Sequence, residues 1–272
     1  MTENVFLTTS HNQNKQLLRL IKSISPIYAE NSKLIIVESG TNELIDNDFI
    51  KILEVDEDSF WGKSTAHGLD YIYKTFKNIN LIILNCDVQL ENWHKIKSLC
   101  EPSTFYTVKN GMITRSGYKI FNKALAIHKY PYLNQKFDQA KESSVDIIPT
   151  RLLFVPKKDY SLIKGIKPNF IKLPHYGSDF IFTYDLKNKL GRLLKISTLT
   201  FIIEDESTTG IKSKNSLIQR IQSINNIKSI YRFQDRINVS ILLTRNEFLP
   251  VRISNLFFSL LKWFLQLFKF HR

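Results

Sequence analysis

The chain has 272 residues, 43% hydrophobic and 12% aromatic, which is enough for a packed core and excludes a disordered chain. Its two cysteines, Cys86 and Cys100, lack a CxxC or a histidine partner at zinc spacing, so no structural zinc and a reducing compartment are expected. The net charge of +13 is uneven: residues 1–186 hold 23 Lys+Arg against 20 Asp+Glu, whereas residues 187–272 hold 15 against 5. A basic tail suits nucleic acid or anionic lipid, and the residues between the charges decide which. Met1-Thr2-Glu3-Asn4 shows no basic or apolar leader pattern, so no secretory signal is expected.

Val5-Phe6-Leu7-Thr8-Thr9 reads as a first strand and residues 10–14 as a polar loop. Leu17, Leu18, Leu20, Ile21 and Ile24 then recur at helical spacing up to Pro26. Leu34-Ile35-Ile36-Val37 is a second buried strand running into Glu38-Ser39-Gly40-Thr41-Asn42-Glu43, and residues 50–55 give a third. Phe60-Trp61-Gly62-Lys63-Ser64 reads as a loop opening a helix that carries Leu69, Ile72 and Tyr73. Leu81-Ile82-Ile83-Leu84, bounded by Asn80 and Asn85, is a strand buried on both faces that delivers Asp87 at its C-terminal edge. Buried strands alternating with helices predict an α/β fold with a mostly parallel sheet flanked by helices. Each strand ends in small or polar residues, so polar groups converge on the edge where such sheets bind ligands. Neither G-x-G-x-x-G nor a P-loop is present, and Asp56, Glu57 and Asp58 upstream of Gly62-Lys63-Ser64 would repel phosphate.

Further along, residues 105–108 and 111–114 are short strands around a turn, residues 116–145 carry no assignable role, and residues 146–156 read as a strand. In Leu173-Pro174-His175-Tyr176-Gly177-Ser178-Asp179, Asp179 begins an amphipathic stretch that ends at Gly191, which is helix-start chemistry and allows an N-cap role. Residues 196–206 form a strand ending in an acidic turn, taken as the close of a domain at residue 210. Leu217, Ile221, Ile224, Ile227, Ile230 and Tyr231 follow at helical spacing. In the last helix Asn255, Ser259, Lys262, Gln266 and Lys269 form one narrow polar stripe, and Leu, Phe and Trp fill the rest. Residues 256–270 span roughly 22 Å at the helical rise, too short to cross a bilayer. The expectation is a helix lying in an anionic membrane interface, with docking on the protein's own core or on a second subunit as the alternative. Nucleic acid is not expected as a partner, since phosphate tracking needs denser Arg and Lys.

Several of these segments together resemble a family 2 glycosyltransferase with the GT-A fold. Residues 5–12 stand where that family has its first strand and a loop over the nucleotide. Val37-Glu38-Ser39-Gly40-Thr41-Asn42-Glu43 resembles its Asp-rich loop, and Phe60-Trp61-Gly62 with Ala66-His67-Gly68 resembles N-x-G followed by A-x-N-x-G. Leu84-Asn85-Cys86-Asp87-Val88 matches the D-x-D site in the N-x-D form of rhamnosyltransferase-like members. Residues 173–182 resemble the catalytic segment in the variant where H-Y-x-x-D precedes a helix. The resemblance covers residues 1 to about 210, leaving residues 211–272 as a basic helical extension.

What the resemblance implies is a transfer from a nucleotide-diphosphate sugar to a hydroxyl, with inversion at the anomeric carbon. Thr9 and Ser10 would approach the base and ribose, and Glu38 would accept from either, with Ser39 and Gly40 allowing close approach. Alternatively, Glu38 is a solvated loop acid. Lys63 either pairs with the diphosphate or is a surface partner of its acidic neighbours. Asp87 would ligate Mn2+ or Mg2+, a hard cation that wants oxygen, with Asn85 directed towards the ribose or a water. Asp179 would be the general base. His175 would orient that base, ligate the metal or cap a loop. The implied acceptor is a growing surface glycan or a lipid-linked saccharide on the inner face of the cell membrane, with a homodimer left open. A catalytically degenerate membrane-associated scaffold or nucleotide-sugar-binding protein is the competing reading, resting on Asn85, Ser178 and Asp185. A sugar-phosphate nucleotidyltransferase would need a Gly-rich first loop, and residues 10–14 contain no glycine.

Overall fold

The structure is a computed structural model and describes residues 3–41, 44–204, 217–226 and 229–268. Its first half alternates strand and helix: β1 (Asn4–Ser10), α1 (Asn14–Tyr28), β2 (Ser32–Glu38), β3 (Ile50–Glu54), α2 (Trp61–Thr75) and β4 (Asn80–Asn85). β1 pairs in parallel with both β2 and β4, and β3 extends the sheet beyond β2. Successive strand residues feed opposite faces, which is why the apolar runs are continuous rather than alternating. Leu7, Ile35 and Ile83 pack with Leu69 and Ile72 of α2, while Phe6, Ile36 and Ile82 pack with Leu17, Leu20 and Ile24 of α1.

The second half inserts strands of both directions. It comprises β5 (Gln89–Leu90), β6 (Ser103–Lys109), β7 (Met112–Arg115), β8 (Lys119–Asn122), β9 (Ile127–Lys129), β10 (Ser143–Val145), β11 (Leu152–Val155), α3 (Lys157–Ile163), α4 (Ser178–Leu190), β12 (Leu194–Ile203), α5 (Leu217–Gln222), α6 (Phe233–Leu243) and α7 (Leu249–Phe268). The main sheet runs β10-β12-β6-β11-β4-β1-β2-β3, with β5 on β12 and β7 on β6. β11 lies antiparallel between β4 and β6, so it starts where β4 ends. β8 and β9 form a separate hairpin. A third core cluster joins Leu173, Ile181 and Tyr184 to Leu242 and Leu243, so α6 is packed onto α4.

Several boundaries differ from the sequence pattern, each for a tertiary reason. α1 continues through Pro26 to Tyr28, whose ring meets Phe6 edge-on at 5.0 Å and whose hydroxyl donates to the Trp93 carbonyl at 2.9 Å. The strand expected over 146–156 is ordered as β11 only from Leu152, and residues 116–145, given no role, supply β8, β9 and β10. The helical pattern from Leu217 stops at Gln222 and resumes in α6. Residues 42–43, 205–216 and 227–228 lie outside the described residues, and with them Asn42 and Glu43 of the loop after β2, the domain boundary at 210, most of the acidic turn and Ile227. Gly68 has a packing role: a Cβ there would sit 2.4 Å from Leu7 Cδ1 and 2.8 Å from Val37 Cγ2, so α2 rides directly on the sheet.

Candidate active site

The C-terminal ends of β1, β2 and β4 lie side by side, with Ser10 opposite Glu38 and Thr9 opposite both Val37 and Asn85. The loops that leave them are tied together. Ser39 N donates to the Ser10 carbonyl at 3.0 Å, and Asn12 Oδ1 accepts from the Thr41 backbone N at 2.9 Å and hydroxyl at 3.1 Å. A Cβ on Gly40 would meet that same Asn12 Oδ1 at 2.5 Å, so the loop needs glycine there.

Glu38 is fully buried, which removes the reading of a solvated loop acid. Its Oε1 accepts from the backbone N of Asn12 at 3.2 Å and of Gly40 at 2.9 Å. Its Oε2 is buried without a partner among the described residues, and so is the Ser10 hydroxyl. Two polar atoms left in this state at a strand edge call for a ligand or water. Lys63, by contrast, is in the first turn of α2 rather than a preceding loop. It is exposed and pairs with Asp56 at 2.8 Å and Asp58 at 3.6 Å, so its ammonium is already engaged by the acids expected to repel phosphate.

Beyond β4, the Cys86 thiol donates to Gln13 Oε1 at 2.9 Å, and burial pushes it up to about 12, which leaves it un-ionised and non-nucleophilic. Asp87 follows. Its Oδ2 lies 3.4 Å from Arg151 Nη2, its backbone carbonyl 3.4 Å from Arg19 Nη2, and its Oδ1 is buried without a partner among the described residues. Arg151 immediately precedes β11, and its carbonyl accepts from Asn85 N at 3.1 Å, which locks the Arg beside the end of β4.

Asp179 sits in the first turn of α4, two residues past Gly177, which holds φ 81° and occupies the N-cap position itself. The alternative capping role is therefore not the one Asp179 fills: its Oδ1 accepts from the adjacent Phe180 N at 2.9 Å. Burial pushes its carboxyl up to about 6, although the backbone N–H groups of Phe180, Thr150 and Asp179 and the charge of Arg115 all pull it down. Thr150 thus reaches one carboxylate through its backbone while its neighbour Arg151 reaches the other through its side chain. Two consecutive residues bring Asp87 and Asp179 to the same edge.

His175 lies in different company. Its ring centroid is 4.5 Å from Tyr176 and 5.7 Å from Phe60, an aromatic setting. No cluster of three or more His, Cys, Asp or Glu side chains able to hold a metal occurs among the described residues. Any cation here would have to complete its shell from substrate and water. The unpartnered Asp87 Oδ1 fits that arrangement, because a hard cation on a diphosphate needs only one or two protein carboxylates.

Sequence reasoning missed Arg151 and Arg115, the latter at the end of β7 and 3.4 Å from Glu204. Nothing local marks them: Arg151 reaches the edge only because β11 runs antiparallel beside β4. A cleft of about 580 Å³ lined by Glu3, Asn4, Asn80 and Phe154 lies at the opposite, N-terminal edge of the strands, away from these groups.

No family model and no curated protein matches the sequence. Solved structures do match the fold. The mannosyltransferase PcManGT from Pyrobaculum calidifontis, in complex with GDP-Man and Mn2+, aligns with a TM-score of 0.54 at 10% identity, over 97% of this chain and 73% of that one. S. aureus TarS 1–349 in complex with UDP-GlcNAc gives 0.52 at 10% identity, over 98% and 82%. A longer TarS chain gives 0.51 at 10% identity over 90% of this chain, which spans only 43% of that TarS chain. The protein is therefore an α/β chain with the GT-A fold, a mostly parallel sheet flanked by helices as in these structures, carrying a C-terminal helical extension.

Proposed function

We propose that the protein is an inverting glycosyltransferase that moves a hexosyl or deoxyhexosyl group from a nucleotide-diphosphate donor to a hydroxyl of a glycan or lipid-linked saccharide. The observation that carries this is the convergence of Asp87 and Asp179 on the Thr150–Arg151 step. Asp179 accepts the acceptor's hydroxyl proton. The freed oxygen forms a bond to the anomeric carbon as the bond to the donor phosphate breaks, its electron pair leaving with the nucleoside diphosphate. A base on one side and a leaving group on the other give inversion. A carboxyl near pH 6 is ionised at neutral pH yet basic enough to take the proton.

Glu38 Oε2 and the Ser10 hydroxyl are free to bind base or ribose, beside Thr9, Ser39 and Gly40. Arg151 keeps a positive charge at the diphosphate position while orienting Asp87. Asp87 Oδ1, with the Asn85 amide as a weaker companion, would hold Mn2+ or Mg2+ together with the phosphates and water; such a cation supplies charge to a departing diphosphate. The PcManGT complex with GDP-Man and Mn2+ supports this donor class by analogy of fold.

The test is a panel of nucleotide sugars assayed for donor hydrolysis and transfer with and without manganese, for wild type and Asp87→Ala. Turnover in wild type, lost by about 10²-fold or more in Asp87→Ala, supports the reading. A wild-type chain that neither turns over nor is thermally stabilised by any nucleoside diphosphate refutes it and leaves the scaffold.

A further inference from the structure

The last helix bonds its polar stripe to the rest of the fold, with Asn255 buried and Lys262 and Gln266 exposed at its edge. Asn255 is buried, accepting from the Ser240 hydroxyl at 2.6 Å and donating to the Lys123 carbonyl. Ser259 donates to Asn255 Oδ1 at 3.3 Å, Lys262 donates to the carbonyls of Leu125 at 3.1 Å and Ala126 at 2.6 Å, and Gln266 accepts from Arg236 at 3.3 Å. Trp263 Nε1 adds a bond to the Tyr231 carbonyl at 2.9 Å. The polar stripe from Asn255 to Gln266 is thereby bonded to α6 and to the β8–β9 turn, while Lys269 lies outside the described residues.

What faces outward is apolar. Leu249, Ile253, Phe257, Leu261, Phe264 and Leu265 are 41–63% exposed, and they follow one another at helical spacing with no charged residue among them. An amphipathic helix in water normally does the reverse, so this face is built for a non-aqueous neighbour.

The charge around this stripe chooses the neighbour. It is one-signed: no acid follows Glu247 in the sequence, Glu247 is paired with Lys123, and Asp235 is paired with Arg232. Arg252 is exposed on α7 itself, and the hairpin on which α7 rests exposes Lys119 and Lys129 beside Phe121 and Leu125. An apolar strip rimmed by cations fits a bilayer surface rich in anionic lipid. No helix among the described residues is long and apolar enough to cross a membrane, so the contact is lateral.

We propose that α7 lies flat on an anionic lipid surface through Leu249, Ile253, Phe257, Leu261 and Phe264, holding the protein there as a rigid part of the fold rather than as a tethered tail. This docking stands independently of the transferase reading. To that reading it adds geometry: α6, which carries α7, packs on the turn before Asp179, where a Cβ on Gly177 would meet Val239 Cγ2 at 2.5 Å.

The experiment is co-sedimentation of the full chain with phosphatidylglycerol/phosphatidylcholine vesicles and with pure phosphatidylcholine vesicles, for wild type and for Phe257→Glu/Phe264→Glu. Both side chains are exposed, so the double variant keeps the wild-type circular dichroism and melting temperature. Expected are wild-type binding to the anionic vesicles, weakening with salt, and a loss of roughly two orders of magnitude in the partition coefficient of the variant. The proposal is overturned if wild type stays in the supernatant, if the variant sediments as well as wild type, or if light scattering shows a wild-type dimer that the variant dissociates while neither binds vesicles.

Discussion

Asp179→Asn should make the protein more stable and less active, with a pH dependence that reports the cause. The carboxyl is held at about 6 against an ordinary 3.8, because burial penalises its charge. Below about pH 3.8 both folded and unfolded chains hold the proton and the group contributes nothing. Between 3.8 and 6 only the folded chain holds it, so stability falls as pH rises, and above 6 the full penalty is present. The shift corresponds to about 3 kcal/mol at 1.36 kcal/mol per unit. The residue keeps a rim of solvent access, and screening brings the expected figure to about 1–3 kcal/mol. Asparagine keeps an oxygen for the Phe180 N–H and carries no charge, so at pH 8 the variant should melt roughly 2–8 °C above wild type. The gain should shrink towards zero near pH 4. Transfer should fall by about 10² to 10⁴-fold, and the wild-type rate should rise with pH through an inflection near 6. A thermal-shift series from pH 4 to 8 beside a pH–rate profile measures both. If the variant gains nothing at pH 8, or gains equally at pH 4 and pH 8, the desolvation argument is wrong.

The remaining predictions concern the rest of the edge and its support. Arg151→Met leaves Asp87 without its only cationic side-chain partner among the described ion pairs. It should cost about 1–3 kcal/mol, partly recovered in the Arg151→Met/Asp87→Asn double variant by urea titration; strict additivity would mean the two do not interact. Glu38→Gln keeps an acceptor for Asn12 and Gly40, so steady-state kinetics should show donor KM raised about tenfold at nearly unchanged melting temperature. An unchanged KM would take Glu38 out of the donor site. Gly68→Val drives a branched side chain into Leu7 and Val37 and should lower stability by about 2–3 kcal/mol, read as a shifted urea midpoint; a midpoint equal to wild type would mean α2 can move off the sheet at no cost.

The half of the sheet from β1 to β4 was readable along the chain because each strand is buried on both faces and each run is therefore locally continuous. The same logic placed Asp87 and Glu38 at strand ends, and Gly191, at φ 66°, closed α4 where the pattern said it would. Burial is a property of position in the fold, however, and it reassigned what the letters left open. Of the two readings open for Glu38 the solvated loop acid falls away, since the side chain is buried and accepts from Asn12 and Gly40; Lys63, open between diphosphate and acidic neighbours, is in a surface ion pair; and Gly68, a motif position, is a packing contact. Arg151 and Thr150 could not be seen at all: their importance comes from β11 lying antiparallel against β4, a pairing across more than sixty residues that no local periodicity encodes. The C-terminal helix shows the division most clearly. Its narrow polar stripe is written in the spacing of Asn255, Ser259, Lys262 and Gln266. Which way that stripe turns was decided only when the carbonyls of the β8–β9 turn and the side chains of α6 took its hydrogen bonds, since a buried polar group must find a partner and an exposed apolar one need not.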